Sequence, residues 1–214
     1  MEHSDSKLQS WLKKVKVLSP GQHLLAPSID ASIQRTVYSA LMQGYQVEMD
    51  YLATSSAVAK HYDSVHIQGL VQYGKVIYLV VTINEHQDLR LLVLHRIQKV
   101  TVKDELLCPL EHFDLQAYID QGGFGFGGIA QAIELVAIFK NGAGHHLIET
   151  PLAQDQHITH LDPQTIKVSA EVLDTPQLIR WLNSFGPDIE VLAPESLRET
   201  MAERYRLAAQ QYVK

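Results

Sequence analysis

Apolar side chains recur at helical spacing in two segments near the start of the chain. In residues 6–18 the apolar positions are Leu8, Trp11, Leu12 and Val15, and Ser19-Pro20-Gly21 ends the pattern. A clearer helix is predicted over residues 30–43, with Ile29, Ile33, Val37 and Leu41 on one stripe. Asp30 is placed to cap its first amides, and Gly44 supplies a left-handed stop.

The pattern then changes to alternation, which predicts strands. Residues 45–52 alternate, and three further strands are predicted at 64–73, 75–83 and 89–102. Tyr73-Gly74-Lys75 indicates a tight reversal, and Asn84-Glu85-His86-Gln87 indicates a loop. Consecutive short strands without helices between them favour an antiparallel barrel or curled sheet.

After a short helical segment at 113–119 and a glycine-rich stretch at 121–128, the chain alternates strand and helix. Strands are predicted at 131–140, 156–161, 164–173 and 188–193, with helices starting near 143 and at Thr175-Pro176. Ser196-x-x-Glu199 resembles a capping box for a last helix at about 197–212. The order β-α-β-β-α-β is that of a ferredoxin-like sandwich, so the predicted fold class is α+β.

Length and composition fit this two-domain division. The 214 residues suffice for two domains, with 46% hydrophobic and 20% charged residues. We predict an N-terminal linker and helix over 1–29, a β-barrel domain over 30–120, a linker over 121–130 and a second domain over 131–214. No signal peptide and no membrane-spanning run is apparent, which predicts a cytoplasmic protein.

The formal net charge of −6 argues against a broad duplex-DNA surface, which needs clustered cations. Residues 60–103 are an exception, because they carry six Lys/Arg against three acidic residues. A small basic pocket for a compact anion is compatible with this excess, and so is scattered surface charge.

Catalytic and metal-binding signatures are missing from the sequence. Cys108 is the single cysteine, and Leu106-Leu107-Cys108-Pro109 predicts an apolar, inert setting for its thiol. His145-His146 and the pair His157/His160 lack ligand spacing with a nearby acid. The glycines of 121–128 are not followed by Lys-Ser/Thr, which excludes a phosphate loop. We therefore predict a protein without enzymatic activity, cofactor or metal.

Two arginines form the most distinctive chemical pattern. Arg90 and Arg96 lie six residues apart on the strand predicted at 89–102, so they would share one face. Guanidinium groups suit phosphate or carboxylate, and Tyr78 on the preceding strand could stack on a base. A solvated edge strand explains the same residues, and the pattern alone leaves both interpretations open.

Here the sequence resembles the WYL family of bacterial transcription regulators. The family's Trp-Tyr-Leu appears as Ile77-Tyr78-Leu79, and its downstream arginines appear as Arg90 and His95-Arg96-Ile97, with His95 where the family usually has an acid. The second half resembles the family's C-terminal extension, most clearly from Asp174-Thr175-Pro176 to Leu197-Arg198. The resemblance covers about residues 30–214.

The resemblance implies a ligand-sensing and dimerising module. Its barrel would be of the Sm-like, SH3 type and would bind a nucleic-acid or nucleotide effector. Carried over by position, Tyr78, Arg90 and Arg96 would line the effector site, with His66 and His95 as further candidates. The C-terminal extension would support a homodimer.

Members of this family read promoter DNA through an N-terminal winged helix-turn-helix. About 30 residues precede the predicted barrel here, too few for such a domain. We expect either a piece of a longer regulator or a standalone sensor acting through partners. The alternative function is an oligomerisation scaffold that binds partners and has no small ligand.

Overall fold

A computed structural model of the chain describes residues 14–15, 22, 24–124 and 130–213. The chain forms two compact units, the first ending at Phe113 and the second starting at Asp114. Each contains one antiparallel sheet, so the fold is mixed α+β. All of the helix predicted at 6–18 except residues 14 and 15, and residues 125–129 of the linker predicted at 121–130, lie outside the described residues.

The first helix, α1 (Ala31–Gln43), begins and ends at the residues that the sequence indicates. The Asp30 carboxylate accepts the backbone N–H groups of Ser32 at 2.7 Å and Ile33 at 3.2 Å. These bonds satisfy amides that the first helical turn leaves without partners. Gly44 follows with φ +73°, and its N–H donates to the Ala40 carbonyl. The predicted helix and both of its signals are confirmed.

Five strands follow α1 in the first unit. They are β1 (Tyr45–Tyr51), β2 (Lys60–Tyr73), β3 (Val76–Ile83), β4 (Arg90–Val93) and β5 (Ile97–Leu106). Their order in the sheet is β4-β3-β2-β1-β5, with every neighbouring pair antiparallel. The predicted reversal at Gly74-Lys75 is confirmed as the turn between β2 and β3, where Tyr73 pairs with Val76.

The prediction of one strand over 89–102 is wrong. A 3₁₀ helix, Leu94–Arg96, separates β4 from β5. Because β4 and β5 occupy opposite ends of the strand order, this three-residue connection requires the sheet to curl until its ends meet. Val93 N–H donates to the Tyr51 hydroxyl at 3.1 Å, which ties β4 to the end of β1. No ladder joins β4 to β5 among the described residues, so the curled sheet is not a closed barrel.

The core of the first unit lies between α1 and the inner face of the curled sheet. Alternating positions of β1, namely Val47, Met49 and Tyr51, are buried there, as the period-2 pattern predicts. They pack with apolar residues of the other elements, including Val37, Val65, Leu79, Val81, Leu92 and Leu94. The opposite face of β2 and β3 carries polar residues, and these form the site described below.

The second unit begins with α2 (Leu115–Asp120), whose first turn is capped by Asp114. It continues with β6 (Ala132–Phe139), a 3₁₀ helix (His145–Ile148), β7 (His157–Asp162), β8 (Thr165–Leu173), α3 (Pro176–Asn183), a 3₁₀ helix (Gly186–Asp188), β9 (Ile189–Ala193) and α4 (Glu195–Tyr212). The sheet order is β7-β8-β6-β9, and all neighbours are antiparallel.

Two local predictions in this unit need correction. The helix expected near 143 is only a 3₁₀ turn, because Pro151 soon follows and Gly142 at φ +75° precedes it. The capping box at Ser196 is wrong, since α4 starts at Glu195 and Pro194 occupies its N-cap position. The predicted Thr175 cap of α3 is confirmed, because its hydroxyl accepts the Leu178 N–H at 3.0 Å.

A second hydrophobic core fills the space between this sheet and helices α3 and α4. It contains buried residues of the strands and both helices, including Leu135, Phe139, Val168, Leu182 and Met201. Among the described residues, no helix is long and apolar enough to cross a membrane.

Candidate ligand-binding site

Tyr78 and Arg90 lie on adjacent strands but face opposite sides of the sheet. Tyr78 pairs with Val93, and Val81 pairs with Arg90. Paired residues share a face, whereas residues three positions apart on one strand do not. Arg90 is therefore on the face of the core residues, exposed at the start of β4, and Tyr78 is on the outer face.

Arg96 is on neither strand. It ends the 3₁₀ helix between β4 and β5, and its carbonyl accepts the Leu52 N–H at 3.0 Å. The inference that Arg90 and Arg96 share one face of a single strand is therefore wrong. No turn residue marks this break in the sequence, because residues 90–97 are mostly apolar and contain neither glycine nor proline.

His95 precedes Arg96 in the same 3₁₀ helix and is partly buried. Its Nδ1 atom is buried without a hydrogen-bond partner among the described residues. Burial lowers the pKa of His95, and the neighbouring charge of Arg96 lowers it further. The imidazole at this position is therefore held in its neutral form at pH values where a free histidine begins to protonate.

His66 lies elsewhere, in a solvent-open groove on the outer face of β2 and β3. The groove has a volume of about 730 Å³, and we call it the His66 groove. Its floor is formed by residues of four strands, Gln46, Ser64, His66, Thr82 and Lys103. One wall is the loop 84–87 and the other is the segment 108–111, which follows β5. Of the five predicted effector residues, only His66 lines it.

Two side chains of β2 fix the walls to the floor, the buried His66 and the partly buried Gln68. His66, which is 6% exposed, accepts the Cys108 N–H on Nδ1 at 3.1 Å, and its Nε2 lies 3.2 Å from the Asn84 carbonyl oxygen. Because Nδ1 accepts, the proton of the neutral ring is on Nε2, which donates. Gln68 binds the same wall, donating to the Cys108 carbonyl at 2.9 Å and accepting the Leu110 N–H at 3.1 Å.

Cys108 is exposed, so the expectation of an apolar setting for its thiol is wrong. Backbone groups of the wall segment bond to the side chains of His66 and Gln68, which take the place of a strand partner. The described residues contain no group of three or more His, Cys, Asp or Glu side chains placed to hold a metal ion.

Sequence reasoning missed the groove because its lining comes from five separate segments. Polar residues at alternate positions of β2 (Ser64, His66 and Gln68) are the one signal in the sequence, since such a face needs a polar partner. Residues 108–111 cover these side chains, and Cys108 follows Gln68 by 40 positions in the chain. Periodicity within a strand does not reveal such a partner.

Comparison with known families gives two matches. Residues 32–102 match the WYL domain, and residues 131–209 match the WCX domain. The chain therefore contains a WYL domain and a WCX domain. The WYL match lies within the first compact unit and the WCX match within the second. The family assignment predicted from Tyr78-Leu79 and the C-terminal block is thereby confirmed.

Two solved structures are similar to this WYL-domain chain. One is the proteasome accessory factor B/C (PafBC) of Arthrobacter aurescens, with 20% identity over 92% of this chain and a TM-score of 0.39. The other is a CRISPR Cas-related protein, with 15% identity over 84% of this chain and a TM-score of 0.47. The chain spans 30% and 51% of their respective lengths. A comparison with curated proteins finds no match.

Proposed function

We propose that this chain is the effector-sensing and dimerising part of a bacterial transcription regulator. The WYL and WCX matches, each within one compact unit, support a regulatory module without enzymatic activity. In this proposal the first unit binds the effector and the second supports a homodimer. Promoter DNA would be read by a helix-turn-helix domain outside this chain, in the cytoplasm.

For each unit we propose a specific fold within the α+β class. For the first, the curled five-stranded sheet behind α1 supports a Sm-like architecture whose ends meet at Leu94–Arg96. For the second, the antiparallel order β7-β8-β6-β9 supports a ferredoxin-like domain in which a 3₁₀ turn replaces the first helix.

The effector proposed for the first unit is a single-stranded nucleic acid. The observation that carries this proposal is the placement of three side chains. Arg90 and Arg96 lie at the two ends of β4, the terminal strand of the sheet, and Tyr78 lies on the outer face of the adjacent strand β3. An extended polyanion that crosses this edge can meet both guanidinium groups and stack a base on Tyr78. A mononucleotide is too short to contact both faces, so an oligonucleotide is favoured.

A fluorescence-anisotropy titration of a labelled single-stranded DNA of about 12 nucleotides tests this proposal. Two phosphate contacts give a salt slope of about −1.4, so affinity should fall about sevenfold between 50 and 200 mM salt. Arg96→Ala should weaken binding about tenfold and reduce the salt effect to roughly threefold. The measurement therefore reports both affinity and the number of phosphate contacts.

Arg35→Ala is the matched control, because Arg35 is exposed on α1 of the same unit. It should leave affinity and salt slope unchanged. If Arg96→Ala and Arg35→Ala behave alike, or if the wild-type chain binds no oligonucleotide at low salt, the nucleic-acid effector is excluded. A scaffold without a ligand then becomes the better description of the first unit.

A further inference from the structure

The His66 groove is a preorganised cavity that the proposed nucleic-acid site does not use. Both of its walls are held by side-chain hydrogen bonds. The buried His66 binds the loop 84–87, and His66 with the partly buried Gln68 binds the segment 108–111. A site whose walls are already fixed loses little conformational entropy when a ligand binds. The same bonds occupy the His66 nitrogens, so a ligand must be recognised by the remaining lining groups.

The remaining charges have opposite signs at different places. Lys103 contributes an ammonium group from the floor, where its side chain is 30% exposed. The nearest carboxylate is Glu105 at 3.9 Å, a long pair on the solvent side of β5. The two walls each carry one carboxylate, Glu85 on the loop and Glu111 on the segment, and the Glu111 carboxylate also lies 3.6 Å from the imidazole of the exposed His112. The groove therefore has a cationic floor and an anionic rim.

This distribution selects among ligand classes. A phosphate or an oligonucleotide at Lys103 would place several negative charges beside the rim carboxylates, which costs free energy. A simple cation would meet the Lys103 ammonium group. A molecule with one carboxylate and one ammonium group satisfies both ends. The side-chain amides of Gln46, on the floor, and Gln87, on the loop, also line the groove. The Gln46 oxygen accepts the Ser64 hydroxyl, and the two amides still offer N–H donors and oxygen lone pairs that match a peptide bond.

We propose that the His66 groove binds a short zwitterionic peptide, with its C-terminal carboxylate at Lys103 and its N-terminal ammonium group at the rim carboxylates. The volume of about 730 Å³ is in the usual range for small-ligand pockets and exceeds what one amino acid fills. A dipeptide or tripeptide uses more of the cavity and supplies the amide groups that the lining can pair.

The test is a calorimetric titration of the full chain with a set of dipeptides that differ in their side chains. Each is compared with its N-acetylated form and with its C-terminal amide. At least one free dipeptide should bind with a Kd below about 1 mM. Blocking either terminus should weaken binding about tenfold, because each block removes one charge-assisted contact. If no dipeptide binds, or if blocked forms bind equally well, the proposal is overturned.

Two variants test which charged side chains contact each end of the peptide. Lys103→Met should abolish the preference for the free carboxylate over the amide while keeping the preference for a free amino terminus. Glu85→Gln combined with Glu111→Gln should do the reverse. Lys99→Met is the control, because Lys99 is exposed on the same strand outside the groove. Equal losses in Lys103→Met and Lys99→Met would exclude the assigned carboxylate contact.

The peptide proposal and the proposal of a nucleic-acid effector can be tested independently of each other. Peptide binding should be unchanged in Arg96→Ala, and oligonucleotide binding should be unchanged in Lys103→Met. Competition between a bound dipeptide and the labelled oligonucleotide in the wild-type chain would mean that both occupy one site. That result would overturn the His66 groove as a separate peptide site.

Discussion

At the scale of the residue, His66 acts as a connector between three segments of the first unit. A neutral imidazole offers one acceptor and one donor on opposite sides of a rigid ring, and His66 uses both. The acceptor binds the Cys108 N–H and the donor binds the Asn84 carbonyl, so one buried side chain joins β2 to both walls of the groove. This explains a buried histidine without invoking a ligand.

Replacing this connector should loosen the wall. His66→Phe replaces the imidazole by an aromatic ring without polar atoms, which leaves the Cys108 N–H without its acceptor. The expected loss is about 1–3 kcal/mol in the free energy of unfolding. Hydrogen exchange at residues 107–111 should accelerate, and urea unfolding measures the stability change. The exposed His86→Phe serves as control. Unchanged exchange at Cys108 in His66→Phe would contradict the connector role.

His61 is the residue whose charge should make stability depend on pH. Its Nδ1 lies 2.6 Å from an Asp50 oxygen and its Nε2 lies 3.3 Å from an Asp63 oxygen. The hydrogen bond to Asp50 raises the pKa of His61, helped by the charges of Asp50, Asp63 and Glu48. Because the folded pKa exceeds the ordinary value of 6.5, the stabilisation is complete below that pH and is lost as pH rises through the folded pKa.

His61→Gln should therefore cost stability in acid and little in base. Urea unfolding of both proteins at a series of pH values measures the difference, which should be largest below pH 6.5 and should shrink steadily above it. His112→Gln, at a fully solvated loop position, is the comparison and should show a smaller change. A His61→Gln difference that stays constant across this range would contradict a pairing that depends on protonation.

At the scale of the element, the helix caps offer a direct test of local stability. The Thr175 hydroxyl accepts the Leu178 N–H at the start of α3. Thr175→Ala removes that acceptor and should cost about 1 kcal/mol, whereas Thr175→Ser keeps the hydroxyl and should cost only a few tenths. Thermal or urea unfolding distinguishes the two. Equal losses in both variants would mean that the methyl group of Thr175, and not its cap, carries the effect.

Some elements could be predicted from the sequence and others could not. Helix α1 was predictable because Asp30 and Gly44 act through bonds to residues within four positions. The break at Leu94–Arg96 was not, because it arises where the two ends of a curled sheet must meet. Ser196 and Glu199 match a capping box, yet Pro194 already fixes the start of α4. The His66 groove escaped prediction for a related reason, since residues distant in the chain form its walls.

At the scale of the whole molecule, the chain divides into two units with separate hydrophobic cores. One core surrounds Leu79 and Val47, and the other surrounds Phe139 and Leu182. The two sets have no residue in common, and each sheet forms its ladders within its own unit. Each unit therefore buries enough apolar surface around its own sheet to respond separately to a core defect.

A pair of reciprocal variants tests this independence. A methyl group added at Gly144 would lie 2.6 Å from the Phe139 Cβ, too close without a shift of the backbone, so Gly144→Ala should cost about 1–3 kcal/mol in the second unit. Leu79 is fully buried in β3, and Leu79→Ala should cost about 2–5 kcal/mol in the first.

Hydrogen exchange measured segment by segment along the chain shows which strands lose protection in each variant. Gly144→Ala should lower protection in β6, β8 and β9 and leave β1–β5 as in the wild type, and Leu79→Ala should do the opposite. Because local opening draws only on the stability of the unit that opens, the two patterns should not overlap. If either variant lowers protection in both sheets by similar amounts, the units unfold together, and a ligand bound by the first would then stabilise the second by the same linkage.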